Sequence, residues 1–385
     1  MAHSAFMRYS FVMKIVIATP FYPPEKGVLG MYAEGLEGAF RKSGHDVETV
    51  VFSSFAYLPP GIRHAVFFFK MLFAARGARF ILALDTWSVG QPALYASKIL
   101  RVPLIVRIGG DFLWEGFAHR TKEPIRLSEV YSHRNTFTLK EKIIAAGIRR
   151  LTRSAHKLLF NSRFQFDVWK KEYGFPEERA GILENFTPLR SQTLAQPEGK
   201  VFVCAGSVNA LKNYDLLGRA FAAAKARHPD IELDTRSLPP AEHRTRVARS
   251  YAVIIPSISE ANSNSALDAV LAGKPFLMSD DTGTSERLSD CGIFIDTRSE
   301  DEIVAGIEKL LDPKEYERLT QSIRAFSFTY SWDDMAKDVP DPDPNKSIEE
   351  QMKNFTWPMI ADEIYIQKKL PPKKEEEKKE EEQKK

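Results

Sequence analysis

Residues 14–52, KIVIATPFYPPEKGVLGMYAEGLEGAFRKSGHDVETVVF, carry the pattern on which the fold class turns. Lys14 to Thr19 is a short apolar, β-branched run without alternation, the signature of a strand buried on both faces. It ends in a Pro-rich turn, Pro20 to Pro24. Met31 to Ser43 then follows a helical period, with Tyr32, Leu36, Ala39 and Phe40 on one face and Gly44 placed as a C-terminal cap. Val47 to Phe52 reads as a second strand. Strand, helix, strand is the parallel βαβ unit, whose sheet is covered on both sides.

Outward from this unit the alternation continues. Strands are expected at Phe80 to Leu84, Pro103 to Arg107 and Lys157 to Phe160, with helices at Ala93 to Leu100 and Leu139 to Thr152. Residues 186–200 lose periodicity and gain Pro and polar residues, as an interdomain connection does. A second buried strand, Val201 to Ala205, then opens a new series. Helices at Tyr214 to Ala226, Asn264 to Ala272 and Asp301 to Leu311 alternate there with strands at Ala252 to Ile255, Pro275 to Met278 and Ile293 to Asp296. The expected class is α/β, two Rossmann-like doubly wound domains, the second shortened. The division is an N-terminal extension at 1–12, domains at 13–190 and 199–330, C-terminal helices at 331–370, and a Lys/Glu tail at 371–385. Two late segments, Tyr330 to Val339 and Phe355 to Lys369, each read as a helix with a Trp near its start, and one of them is expected to return to the first domain.

Composition narrows the class of function. A 385-residue chain with 43% apolar and 27% charged residues suits a soluble two-domain protein. A net charge of +3 gives no global nucleic-acid footprint. Cys204 and Cys291 are too few for a disulfide framework and lack zinc-ligand spacing, which fits a reducing cytoplasm. The first twelve residues lack a secretory pattern, and Met13 is a candidate start. Ala65 to Ala75 (AVFFFKMLFAA) is too short to span a bilayer; it reads as a core helix, with peripheral contact at the inner face of a membrane as the alternative.

Three stretches point into the cleft that paired doubly wound domains form. Gly27 to Gly30 follows the first strand, where glycines let backbone approach a phosphate or an acceptor; their bland reading is a turn. Gly206 and Ser207, followed by Lys212, combine a Gly turn with a point charge for a diphosphate; the alternative is a solvated loop lysine. Pro256 to Pro275 (PSISEANSNSALDAVLAGKP) is the richest. Glu260 follows a buried strand, Asn262 to Ser265 are good N-caps, and Asp268 is expected on the first turn of the next helix. The acids either hydrogen-bond sugar and ribose hydroxyls while helix amides take phosphate, or serve as a surface charge and a helix-dipole charge.

The segment Pro256-Ser-Ile-Ser-Glu260, seven residues, Asp268, then Ala272-Gly-Lys-Pro275 resembles the signature of family 4 glycosyltransferases. The likeness extends along the chain through PFYPPEKG (20–27), Gly44-His-Asp-Val47, Asn161-Ser162 and Asn185. It implies the GT-B architecture and retaining transfer of a hexose-type sugar from a nucleoside-diphosphate sugar, without a cofactor or metal. The acceptor it implies is a glycan or lipid-linked one, in cell-envelope polysaccharide or glycolipid synthesis. By the same resemblance Glu260 lies by the donor sugar and Asp268 on the ribose. Gly206, Ser207, Lys212, Asn262, Asn264 and Ser265 surround the donor, and Gly27 and Gly30 face acceptor or phosphate. Asp111, in Arg107-Ile-Gly-Gly-Asp111-Phe-Leu-Trp114-Glu115, takes the place of an absent His as the second catalytic candidate.

The chain departs from the family pattern in several places. Asp268 replaces a Glu, Ser207 replaces an Arg, Val28 replaces a Gly, and about one strand and helix are missing between Gly206 and Glu260. These departures motivate a rival reading, a catalytically weakened scaffold that binds nucleotide or glycan. A dehydrogenase would need G-x-G-x-x-G after a strand, which neither domain start has. Asp341-Pro-Asp343 matches a metal-binding Asp-x-Asp only in its letters, since it lies in a Pro-rich spacer.

Overall fold

The strands expected from apolar runs are the buried strands of two parallel sheets, seen in a computed structural model that describes residues 12–25, 27–59, 61–190, 195–204 and 211–342. The first domain runs β1 (Lys14–Thr19), α1 (Val28–Lys42), β2 (Asp46–Val51), α2 (Ile62–Ala74), β3 (Phe80–Ala83), α3 (Gly90–Leu100), β4 (Leu104–Ile108), α4 (Phe112–Thr121), α5 (Leu139–Ser154), β5 (Lys157–Phe160), α6 (Arg163–Tyr173) and β6 (Ala180–Ile182). Its sheet order is β2-β1-β3-β4-β5-β6, all parallel. The strand order reverses between β1 and β3, so a crevice opens at the carboxyl ends of β1, β3 and β4.

The second domain runs β7 (Lys200–Cys204), α7 (Tyr214–Arg227), β8 (Ile231–Asp234), α8 (Pro240–Arg249), β9 (Ala252–Ile255), α9 (Asn264–Leu271), β10 (Phe276–Ser279), α10 (Ser285–Leu288), β11 (Gly292–Ile295), α11 (Glu300–Leu311) and α12 (Pro313–Ala325), and α13 (Trp332–Asp338) follows it. Its parallel sheet has the order β11-β10-β9-β7-β8, five strands where the first domain has six. β8 and β11 are the edge strands. The chain leaves β8 through α8 directly to β9, on the far side of β7.

Several elements escaped the sequence reading. Helices α4, α6, α8 and α12 and the strands β6 and β8 were not anticipated. α8 buries Val247 alone among its apolar residues and α12 only Leu319 and Ile323, so neither carries a broad apolar stripe. α2 divides its side chains: Phe67, Met71 and Ala74 enter the core, while Phe69 and Phe73 stay exposed.

The chain returns to the first domain through α13. Trp332 stacks on Phe186 at 4.1 Å between centroids and meets Tyr32 edge-on at 5.1 Å. It lies so close over Gly35 that a Cβ there would fall 2.3 Å from the indole. The segment Phe355 to Lys369 and the Lys/Glu run lie outside the described residues. Asp341 forms an ion pair with Arg79 at 2.7 Å; Asp343 is outside the described residues.

The domains meet through directed polar contacts. Asn262 Nδ2 donates to the Asn161 carbonyl (2.9 Å), and Ser162 Oγ donates to the Ala261 carbonyl (2.6 Å). The amides of Arg163 and Phe164, at the start of α6, donate to Glu286 at 2.9 and 2.6 Å. Arg126 bridges to Asp280 (2.6 Å) and Asp296 (3.0 Å), and Arg298 to Glu129 (3.0 Å).

Candidate active site

On the second-domain side of the cleft, β7 and β9 position the residues that follow them. Lys212 and Ser257 pair as a short antiparallel bridge, and Lys212 Nζ donates to Ser257 Oγ at 2.9 Å. The Ser257 hydroxyl donates in turn to Glu260 Oε1 at 2.6 Å, with Lys212 Nζ 3.6 Å from the same oxygen. Glu260 itself is fixed by a parallel bridge to Thr282. A half-buried carboxylate is thereby tied to a lysine through a hydroxyl, so charge of both signs is presented at one spot.

Four residues further on, α9 begins. Ser263 caps it, accepting from the Ala266 amide, and holds its own amide on Thr284 Oγ1 at 2.8 Å. Asn264 and Ser265 are half-buried in the first turn. Asn262 is tied to the first domain, its Nδ2 donating to the Asn161 carbonyl and its backbone carbonyl accepting from Asn185 Nδ2. Asp268 lies in the second turn of α9, not the first as expected from the sequence. It reaches solvent, yet the surrounding protein raises its pKa; burial is the main cause, partly offset by Arg244. Gly206 and Ser207 lie outside the described residues.

On the first-domain side, the carboxyl ends of β1, β3 and β4 open into a cavity of about 380 Å³. Phe21, Asp85, Arg107, Gly110 and Glu115 are among its lining residues. Gly27 precedes α1, and Gly30 is buried in its first turn, where an added Cβ would stand 3.4 Å from the Tyr22 backbone. Neither glycine lines the cavity; their neighbours Phe21 and Leu29 do.

Asp111, expected as a catalytic residue, is fully buried in the structure. It is 0% exposed and its lone pairs are occupied: it accepts from the amides of Leu113 and Trp114 (both 3.0 Å), from Trp169 Nε1 (2.9 Å) and from the Tyr131 hydroxyl. It caps α4 and anchors an aromatic cluster, and it is not among the residues that line the cavity. Glu115, one turn on, lines the cavity, as Asp85 does. Its side chain reaches solvent, yet protein around it pushes its pKa up to about 7; burial dominates, followed by the negative charges of Asp111, Glu260 and Asp85.

Two more groups went unnoticed in the sequence. Asp85 accepts from the amides of Trp87 and Val89 at 2.9 Å, which commits its carboxylate to the start of α3. Arg107 is 2% exposed, donates to Asn185 Oδ1 at 2.9 Å and lies 3.9 Å over the Tyr32 ring. A charged residue inside an apolar strand run was the available signal. Among the described residues no group of three or more His, Cys, Asp or Glu could hold a metal ion, and no helix is long and apolar enough to cross a membrane.

With this geometry in view, comparison with solved structures is informative. HepE from Anabaena, solved with UDP-glucose, superposes with a TM-score of 0.56 at 14% identity, over 92% of this chain and 99% of that one. Sucrose-phosphate synthase from Thermosynechococcus elongatus gives 0.60 at 12% identity, over 85% and 97%. The catalytic domain of starch synthase IV from Arabidopsis thaliana, bound to ADP and acarbose, gives 0.58 at 14%, over 89% and 99%. The fold is GT-B. At these identities the likeness is one of fold. No family model and no curated protein matches the sequence. In GT-B proteins two doubly wound domains face across a cleft. Here the Lys212, Ser257 and Glu260 chain lies on one wall of that cleft and the cavity with Glu115 and Arg107 on the other.

Proposed function

We propose that this protein is a retaining glycosyltransferase that moves a hexose-type sugar from a nucleoside-diphosphate sugar to a glycan or lipid-linked acceptor. The place of such a product is cell-envelope polysaccharide or glycolipid synthesis. The observation that carries the reading is the Lys212, Ser257, Glu260 chain beside the N-terminus of α9. Lys212 and the α9 amides are suited to a diphosphate leaving group, whose charge grows as its bond to the anomeric carbon breaks. Glu260 is suited to the positive charge that develops on the sugar. Asp268 takes the ribose. Glu115 faces the acceptor from the first-domain cavity, in the role expected of Asp111.

Phosphate charge is met here by a lysine and amides, so turnover is proposed to need no metal and to survive EDTA. The protein is proposed to work in the cytoplasm, in peripheral contact with the inner face of a membrane. Support comes from the adjoining helices α2 and α3, which carry no acid and expose Phe69, Phe73, Tyr95 and Ile99 among Lys70, Arg76, Lys98 and Arg101.

Calorimetry with UDP, GDP and ADP tests the central claim. One of them should bind at micromolar to millimolar concentration, and Lys212→Ala should weaken it. If none binds, the transferase reading falls. The second reading, a weakened scaffold, is favoured by the five-stranded second sheet. Nucleotide binding without sugar hydrolysis or transfer in any donor tested would select it.

A further inference from the structure

The cavity of the first domain holds an arginine for which the described residues supply no counter-ion. Arg107, the penultimate residue of β4, is 2% exposed and lines the cavity. Its partners are neutral: Asn185 Oδ1 at 2.9 Å and the face of Tyr32 at 3.9 Å. Among the described residues no carboxylate lies within ion-pairing distance of the guanidinium, and its Nε has no hydrogen-bond partner. Burying a cation costs several kcal/mol unless an anion or a full set of hydrogen bonds offsets it. A fold that meets this cost beside an apolar sheet gains nothing in packing that Met or Leu would not give more cheaply.

The surroundings of Arg107 have the features of a built subsite. Gly109 follows it, and a Cβ there would stand 2.9 Å from Arg107 Nη1, so glycine keeps the guanidinium in place. The carbonyls of Gly109 and Gly110 are held by Asn161 Nδ2 (3.3 Å) and Gln165 Nε2 (2.8 Å), which fixes the loop over the cavity. Arg63 brings a second cation to the same cavity, its Nε tied to the Leu58 carbonyl at 3.1 Å. Of the two acids that line it, Asp85 is committed to the amides before α3, and Glu115 is held partly protonated near neutral pH by its surroundings.

We infer that this first-domain cavity binds an oxyanion carried by the acceptor, a phosphate or a carboxylate, against the guanidinium of Arg107 with Arg63 as the second cation. The inference rests on the glycosyltransferase reading for the word acceptor, and on the cavity alone for the anion. It names the acceptor class: a sugar phosphate, a lipid-linked phosphate or a uronic acid in preference to a neutral glycan. The guanidinium fork matches two oxygens of such a group at once. The donor's diphosphate offers the same chemistry, but Lys212 and α9 already provide for it on the opposite wall.

The test uses the full-length protein with glucose 6-phosphate, glucuronate and glucose as probes. Each is titrated alone and in the presence of saturating nucleoside diphosphate. Glucose 6-phosphate or glucuronate should bind at least about tenfold more tightly than glucose, and should still bind with the nucleotide present. Arg63→Gln should weaken the charged probe several-fold, and Arg107→Met should abolish the preference for charge. Where Arg107→Met fails to fold, the wild-type preference and Arg63→Gln decide the matter. Equal binding of charged and neutral sugars, or no binding of either anion below 10 mM, ~2.7 kcal/mol, overturns the inference. Loss of anion binding when nucleotide saturates the protein also overturns it, because the cation then belongs to the donor. Nucleotide binding measured alone keeps this outcome separate from failure of the transferase reading itself.

Discussion

Ser257 donates a 2.6 Å hydrogen bond to Glu260 while accepting one of 2.9 Å from Lys212, so the acid and the lysine are positioned by one hydroxyl. This relationship separates two kinds of defect. Glu260→Gln keeps the shape but removes the charge that would answer an oxocarbenium-like transition state. It should lower kcat by ~10²-fold and change the donor KM little. Ser257→Ala should cost about tenfold in kcat/KM, because both neighbours lose their register. Steady-state kinetics on the two variants checks both values.

Asp268 should behave differently. A ribose contact is made in ground and transition states alike, so Asp268→Asn should raise the donor KM about tenfold and leave kcat near its original value. Asp268→Glu restores the residue of the family signature and should tighten the donor. Unchanged KM in both variants would leave Asp268 as a dipole charge of α9.

Asp111 and Glu115 make a contrast within one helix. Asp111→Ala leaves the Tyr131 hydroxyl and the Trp169 indole N–H buried without an acceptor, which should cost about 3 kcal/mol of stability. Glu115→Gln should leave the melting temperature nearly unchanged and lower turnover. Its pKa of about 7 predicts that wild-type activity varies with pH around neutrality, and that Glu115→Gln loses that dependence. Thermal melts and a pH profile decide between the two residues.

Glu286 sets a pH dependence on stability rather than on chemistry. Burial pushes its pKa up to about 7, although the amides of Arg163 and Phe164 pull in the other direction. The folded protein therefore holds this proton more tightly than the unfolded chain does. Its stabilising contribution is fully present below the unfolded value of 4.5 and is lost as pH rises through about 7. The loss is about 1–3 kcal/mol between pH 5 and 8. Glu286→Gln should flatten the slope, measured as unfolding free energy across that range.

The exposed apolar side chains of α2 predict membrane contact. Phe69→Ser with Phe73→Ser should reduce sedimentation with phosphatidylglycerol vesicles at least about tenfold, since each buried Phe contributes ~1.5–3 kcal/mol. Circular dichroism should not change. High salt should weaken the wild-type interaction as well.

Taken alone, the sequence was decisive wherever one period governs a segment. Lys14 to Phe52 read as βαβ because strands buried on both faces are continuously apolar and α1 is amphipathic. The same logic located β7, β9, β10 and β11 within one residue at either end. Glu260, Lys212 and Asp268 could be singled out because they flank strand ends and a helix start, positions that local pattern specifies. What local pattern does not specify is direction and company. Asp111 and Glu115 lie on the same helix, four residues apart. Only the packing of Tyr131 and Trp169 from other elements makes one of them a sealed cap and leaves the other facing the cavity. Arg107 reads in sequence as one charge in a strand. Its isolation from any carboxylate depends on Tyr32, Asn185 and Gly109, brought together from separate parts of the chain. Burial and pairing are properties of long-range contacts, so the tertiary structure alone could decide which charged groups are free to meet a ligand.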